Sequence, residues 1–352
     1  MRGLRATVRD FAYRHVGGTA LVLAYHRVAD LERDPQLLAV SPANFEAQVK
    51  MLSEECRVVS LEDLLEALRR RTVPDRAIVL TFDDGYADNL TTAEPILRAH
   101  HVPATVFVSS GYVSAQREFW WDELERLALC PGTLPALIEL ESPGGRFSER
   151  LNETLTYSAE DARRDAAWNV LATVANPRQA LYERLAAFLR PLPAADRDAA
   201  LEQLRALARV DAETDDAGRT PRSTHRPLSA DEVATLDASP VVDVGAHTLN
   251  HPVLSALTPK EQREEILGDR DALGAMCGRA VRTFSYPYGG LDDYTGDTVE
   301  IVRDAGFRGA CSNHLGVVKP WIDPFRLPRN VVRNWDAPTL AAKIETWFRE
   351  RA

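Results

Sequence analysis

The sequence predicts an α/β fold, closing most naturally as a distorted TIM-like (β/α) barrel that carries a mostly helical insertion. Three observations point there. Short apolar, β-rich runs alternate with helical patterns in both outer parts of the chain. Those runs are apolar without alternation, as strands covered on both faces are. The rhythm breaks off between about Glu123 and Thr224 and then resumes. An open doubly wound sheet is the other arrangement such a rhythm allows, and in both folds reactive groups gather at the C-terminal ends of the strands.

In chain order, Ala20–Tyr25 reads as the first strand, followed by a helix over Phe45–Leu52, a strand over Arg57–Ser60 and a helix over Leu61–Arg70. Ala77–Phe82 and Ala104–Val108 are the next strands, with a helix over Ala93–His100 between them. After the break, strands are expected at Val241–Gly245, Thr283–Tyr286, Phe307–Cys311 and Arg326–Val332, with helices over Pro259–Met276 and Asp297–Ala305. Within the break, Leu137–Glu141 and Arg146–Leu151 flank Ser142-Pro143-Gly144-Gly145 as a hairpin, and Ala- and Arg-rich amphipathic helices follow through Leu207. The stretch from Asp211 to Ser223 is polar and turn-forming, a surface linker. The expected division is therefore a first barrel part at 1–122 with an N-terminal helix, an insertion at 123–224, and a second barrel part with a C-terminal helix at 225–352.

Of the 352 residues, 45% are hydrophobic and 27% charged, which excludes disordered and fibrous chains. A net charge of -10 makes the molecule repel a phosphate backbone, so nucleic acid is not an expected partner. Cys56, Cys130, Cys277 and Cys311 are widely spread without a CxxC pair, which favours reduced thiols over a sulfur metal site or a disulfide framework. The start of the chain is basic but lacks an apolar core of a secretory signal. The first apolar run, Thr19–Tyr25, is far below the roughly 20 residues of a membrane span. A cytoplasmic location without a transmembrane segment is expected, and the N-terminal arginines also fit a short amphipathic helix in peripheral contact with a membrane.

The chemistry sits just past predicted strands. Ala77–Phe82 runs into Asp83-Asp84-Gly85-Tyr86, and neighbouring side chains on extended backbone point apart, so one carboxylate can hold a metal while the other stays free as a base. A polar turn would look the same by itself. Gly245-Ala246-His247-Thr248-Leu249-Asn250-His251-Pro252 places two imidazoles four apart. On a helical turn these share a face and can converge on one cation. Two histidines and one carboxylate leave a coordination position open for water, as in catalytic zinc sites. Phe284-Ser285-Tyr286-Pro287-Tyr288-Gly289-Gly290 can expose a backbone N–H and wall a sugar-sized groove. Trp120-Trp121-Asp122 offers aromatic faces that either stack on sugars or line the joint between barrel and insertion.

Taken in order, Thr81-Phe82-Asp83-Asp84-Gly85, His247-Thr248-Leu249-Asn250-His251-Pro252 and Tyr286-Pro287-Tyr288-Gly289 resemble the first three motifs of the polysaccharide deacetylases, carbohydrate esterase family four. The resemblance covers about Thr19–Gly111 and Pro227–Val332, and Tyr25-His26-Arg27-Val28 is similar to a cytoplasmic-type branch of that family. It implies a distorted barrel and metal-dependent removal of N-acetyl groups from amino sugars. It also implies that Asp84, His247 and His251 hold a divalent cation, most simply Zn2+, that Asp83 is the general base, and that the backbone N–H of Tyr288 faces the oxyanion. Tyr288, Tyr86 and Trp121 are the expected substrate-binding side chains.

Two positions depart from the family pattern. A late Leu-x-His motif that supplies the general acid has no counterpart in Arg326–Val332, which leaves His26, at the end of the first strand, and His314, beyond the seventh, as sources of the proton; His26 is preferred. An arginine that holds the base two residues before the Pro-Tyr pair is Ser285 here, and Arg329 at another strand end is placed to replace it by a charge-assisted contact to Asp83. The expected activity is deacetylation of an amino sugar, free, oligomeric, nucleotide-linked or lipid-linked, for a surface polysaccharide or glycoconjugate, with the insertion as a lid. Two other readings are a carbohydrate-binding relative without turnover and hydrolysis of another non-peptide C–N amide bond, because barrel and triad specify bond polarisation better than the acyl group.

Overall fold

A computed structural model describes residues 18–151, 155–210 and 221–351. The expected N-terminal helix and most of the polar linker lie outside the described residues.

The barrel strands are β1 (Ala20–Tyr25), β2 (Arg57–Val58), β3 (Ala77–Phe82), β4 (Ala104–Val108), β5 (Val242–Ala246), β6 (Thr283–Ser285), β7 (Gly309–Cys311) and β8 (Asn330–Val331). They form one parallel sheet in the order β7-β6-β5-β4-β3-β1-β8, with β2 beside the start of β3. The last segment joins the two edges. Leu327 bridges Cys311 of β7, while Asn330 and Val331 pair with Leu23 and Ala24 of β1. The predicted barrel strands recur with ends shifted by a residue or so, except that Arg326–Val332 is regular only at β8.

Every residue of β1, β3 and β4 is buried, which explains why their sequences do not alternate. One set of alternate residues, including Ala20, Val22, Val79, Phe107 and Cys311, clusters with Leu61, Leu64, Leu65 and Leu68, so the helix Leu61–Arg70 stoppers that face. Its start is set by Ser60, whose side chain accepts from Asp63 N, and its end by Arg71 in the left-handed conformation. The other set, including Leu21, Leu23, Ile78, Leu80 and Val106, packs under the outer helices. Register aligns the strand ends. Tyr25 pairs with Phe82, Phe82 with Val106, Val108 with Ala246, Ala246 with Phe284 and Ser285 with Cys311. The residues just beyond these strand ends therefore meet at one rim.

Between β4 and β5 the chain builds a second core. The helices Trp120–Leu129, Pro177–Leu189 and Ala194–Leu207 pack with the hairpin Leu137–Ser142/Gly145–Arg150 through Leu124, Leu127, Ile138, Leu140, Leu181, Leu185, Leu189, Leu201 and Leu204. Entry and exit of this lobe lie side by side, since Thr133 pairs with Arg209 and Gly132 with Val210. Its cluster also takes in Tyr86, Tyr112 and Phe119, so the lobe sits on the same rim of the barrel as the strand-end motifs.

Candidate functional site

Asp83 continues the ladder of β3, its N–H donating to the Tyr25 carbonyl at 3.0 Å. Asp84 and Gly85 then both take left-handed backbone, at φ 77° and 84°. A Cβ at residue 85 would lie 2.8 Å from Val108 Cγ1, so only glycine fits this turn. The turn brings both carboxylates to His247 Nε2, Asp84 Oδ1 at 3.6 Å and Asp83 Oδ2 at 4.0 Å.

The histidine pair is brought together by a different device from the helical turn its spacing suggests. Residues 247–253 form no helix. His247 follows β5 directly, and the loop turns back through left-handed Thr248 and His251, at φ 67° and 51°. Such positions cost about 1–3 kcal/mol each for non-glycine residues and persist only where the surroundings impose them. Here the helix Pro259–Cys277 does so: Asp269 Oδ2 accepts from His247 N at 2.8 Å, and Glu265 accepts from Asn250 N and Nδ2 at 2.9 and 2.8 Å. Burial raises the Asp269 carboxyl to about 7, with hydrogen bonds from Ser110 and His247 opposing.

Asp84, His247 and His251 are all buried, and one ligand atom from each lies within 4.8 Å of the others. His247 Nε2 is 3.6 Å and His251 Nε2 3.4 Å from Asp84 Oδ1. His247 Nδ1 lies 2.7 Å from the Ser285 carbonyl oxygen, which can only accept, so Nδ1 carries the hydrogen and Nε2 faces Asp84. Burial pushes the His247 pKa down, but Asp83 and Asp84 outweigh it and raise it. Burial and then the neighbouring His247 push His251 down to about 3. One carboxylate and two imidazoles in this geometry suit a divalent cation.

Asp83 stands beside the triad, its Oδ2 4.0 Å from His247 Nε2. Fully buried Arg329 grips it with both arms, Nη1 to Oδ1 at 2.7 Å and Nη2 to Oδ2 at 2.5 Å. The same guanidinium donates to Ser285 Oγ at 2.9 Å, Thr81 Oγ1 at 3.2 Å and the Ser312 carbonyl at 2.8 Å. Ser285 thus leaves room for an arginine arriving from the last strand. Burial alone would raise the Asp83 pKa, but Arg329 holds it well below the usual carboxylate range.

A cavity of about 610 Å³ opens over these groups. His26, Asp83, Asp84, His247, His251, Trp121 and Tyr288 line it. His26 is half-buried, and burial lowers its pKa against the pull of Asp84 and Asp83. His314 is not among the lining residues; its Nδ1 is engaged with Ser312 Oγ at 2.6 Å. Trp121 meets His251 edge-on at 4.9 Å between centroids, and Tyr288, at φ 60°, does so at 4.6 Å. Tyr86 is a correction. It is completely buried and does not line the cavity; its hydroxyl donates to Asp122 Oδ2 at 2.6 Å and accepts from Trp121 Nε1 at 2.8 Å, so it braces Trp121 from behind.

The insertion supplies the remaining wall through Val170, Glu183, Ala186, Ala187 and Arg190. Arg190 pairs with Asp293 at 2.5 Å and lies over the Tyr288 ring at 4.3 Å. Arg333, from the chain after β8, also lines the cavity and donates to the Leu37 and Gln36 carbonyls. No local motif marks Arg190 or Arg333; each reaches the site only through packing of distant segments. Among the described residues, no helix is long and apolar enough to cross a membrane.

The profile of the polysaccharide deacetylase family matches residues 70–130 and 210–310, which contain the Asp83-Asp84, histidine-loop and Tyr288 segments. The poly-beta-1,6-N-acetyl-D-glucosamine N-deacetylase of Staphylococcus aureus (strain MSSA476) is 29% identical over 111 residues, 28% of this chain and 38% of that protein. The protein of the same name from Escherichia coli (strain K12) is 35% identical over 86 residues, 24% of this chain and 13% of that one. The matches thus span well under half the length of these relatives. Two solved structures share the fold. Streptococcus pyogenes deacetylase PplD in complex with acetate has a TM-score of 0.57 at 15% identity, covering 94% of this chain and 99% of that one. IcaB from Ammonifex degensii has a TM-score of 0.55 at 20% identity, covering 94% and 98%.

Proposed function

Because the chain carries a polysaccharide deacetylase domain, we propose that it is a metal-dependent N-deacetylase acting on an N-acetylated amino sugar. The observation that carries this reading is the buried Asp84, His247 and His251 cluster beside an uncoordinated Asp83 that Arg329 holds ionised. Asp84, His247 and His251 would hold the cation, and Zn2+ matches the donor set. A divalent ion there supplies Lewis-acid polarisation of the acetyl carbonyl and acidifies water.

The chain's own residues account for the rest. Asp83, fixed by the arginine fork, takes the proton of the attacking water as the acetyl carbon becomes tetrahedral. Trp121 and Tyr288 wall the site and orient the sugar ring, and the Tyr288 backbone N–H is the proposed partner of the oxyanion. His26 lines the cavity outside the Asp84, His247 and His251 cluster and is the proposed donor to the leaving amine. Burial lowers its pKa against the pull of Asp84 and Asp83. The insertion wall confines the substrate to a chamber, which favours short or terminal sugars over the middle of a long chain. We place the reaction in the cytoplasm, in the making of a surface polysaccharide or related glycoconjugate.

Acetate release from N-acetylated mono-, oligo- and nucleotide sugars, with and without chelator, tests this. Release that stops with chelator and returns with Zn2+ is expected. Tight sugar binding without acetate from any of them would leave a carbohydrate-binding protein instead, and release from only non-sugar amides would move the activity to another C–N bond.

A further inference from the structure

The insertion does more than wall the cavity. Its helix Ala194–Leu207 sends one side chain, Arg197, into the barrel rim, where it is completely buried. Arg197 Nη2 donates to the Asn250 carbonyl at 2.7 Å and Nη1 to the His251 carbonyl at 3.4 Å. These are the peptide groups on either side of the His251 Cα. No carboxylate lies within ion-pair distance of Arg197 among the described residues, and its sequence neighbour Asp198 is paired with Arg117 at 2.6 Å instead. A buried cation without a directly paired carboxylate is costly to keep. Its compensation comes from the carbonyl dipoles of this loop, with the Trp120 ring 5.6 Å away and the Glu265 carboxylate acting at longer range.

The need for it arises in the backbone. Asp84 and His247 lie within two residues of a strand end and inherit their positions from the sheet. His251 lies five residues beyond Ala246, is itself left-handed at φ 51°, and comes after another left-handed residue. The barrel secures the N–H side of this loop through Asp269, Glu265 and Thr248 Oγ1, the last accepting from His251 N at 3.1 Å. On the carbonyl side Ser109 Oγ and Gly111 N hold the His247 and Leu249 carbonyls, and Arg197, from the inserted lobe, holds those of Asn250 and His251.

We propose that Arg197 is a positioning residue for His251, so that the insertion is a working part of the cation site and cation binding is coupled to docking of the helix Ala194–Leu207. The proposal rests on the metal-site reading above. By linkage, whatever docking of that helix contributes to cation affinity, the cation returns to the docking.

The test measures Zn2+ affinity on apo protein by chelator competition, with the visible spectrum of Co2+ as a readout of ligand geometry. Arg197→Met is expected to weaken Zn2+ binding at least tenfold and to change the Co2+ spectrum, with Arg197→Lys lying closer to the wild type. Asp198→Asn, which loosens the same helix at its surface pair, is expected to stay within twofold. In the wild-type protein, Zn2+ is expected to slow amide exchange across 194–207. Folded Arg197→Met and Arg197→Lys proteins that bind Zn2+ within twofold of wild type overturn the proposal. So does exchange in 194–207 that ignores Zn2+, which decides the matter even if neither variant folds. A wild type that binds no divalent cation refutes the metal reading itself, a different result from intact binding in the Arg197 variants.

Discussion

Replacing Arg329 with methionine separates two things the arginine does, and their pH dependence tells them apart. Methionine fills similar space but removes the fork on Asp83 and the donors to Ser285 Oγ, Thr81 Oγ1 and the Ser312 carbonyl. Both partners are buried, so the loss leaves a buried carboxylate without its arginine, a change that costs about 3–5 kcal/mol. In the wild type the folded Asp83 pKa is depressed. The pair's stabilisation is therefore present above the unfolded carboxyl value, about 3.9, and is lost as pH falls toward the folded one. In Arg329→Met the expected sign reverses: burial, its largest single influence and now opposed only by His247 and His26, raises the folded pKa, and the destabilisation grows as pH rises from the unfolded value through the folded one. Urea unfolding of metal-free protein from pH 5 to pH 8 should show a gap between wild type and variant that widens with pH toward its full size. The acidic limb of kcat/KM should also move to higher pH, since Asp83 must be ionised to act as base. A gap under 1 kcal/mol, or one that does not change with pH, would show that Arg329 is not the charge partner that sets Asp83.

Asp84→Ala or His247→Ala should abolish Zn2+ uptake in chelator competition, whereas Asp83→Asn should keep the cation and lose about 10²–10⁴ in kcat; a fully active Asp83→Asn would remove it as the base. His26→Gln should change the basic limb of the pH–rate profile while His314→Gln leaves it in place, because only His26 lines the cavity; the opposite result would move the proton donor to His314. Gly111→Ala would bring a Cβ within 2.4 Å of the Leu249 carbonyl, inside the histidine loop. Its Zn2+ affinity should fall by more than its metal-free stability accounts for, and unchanged affinity in a folded variant would show that the loop can yield without moving His251.

The parts of this site that can be read from sequence are those a strand end fixes locally. Asp83, Asp84 and His247 follow apolar runs directly, and parallel register carries all of them to one rim whatever lies between. The histidine pair shows where spacing stops being enough. Four residues suggest one helical face, yet the convergence comes from two left-handed residues held by Glu265, Asp269 and Arg197, none of which the spacing reveals. Arg329 is readable only as a substitute for an arginine missing at Ser285, a contact across 246 positions. Tyr86 misleads for a related reason: a tyrosine after a metal-binding turn suggests a substrate contact, but the insertion's Trp121 takes the cavity face and leaves Tyr86 behind it.

These differences share a physical origin. A barrel alone determines where strands end, and so where the first carboxylates and the first imidazole stand. It does not determine the path of a loop five residues further on, nor what closes the cavity above it. In this chain the helix Pro259–Cys277 shares the first task with Arg197, which donates to the carbonyls flanking His251, and Trp121 and Arg190 from the segment between β4 and β5 stand at the wall. Exchanging this lobe for that of another protein with the same strand-end motifs should therefore alter cation affinity as well as substrate choice. A graft that changed selectivity while leaving Zn2+ affinity intact would mean that the barrel positions His251 by itself.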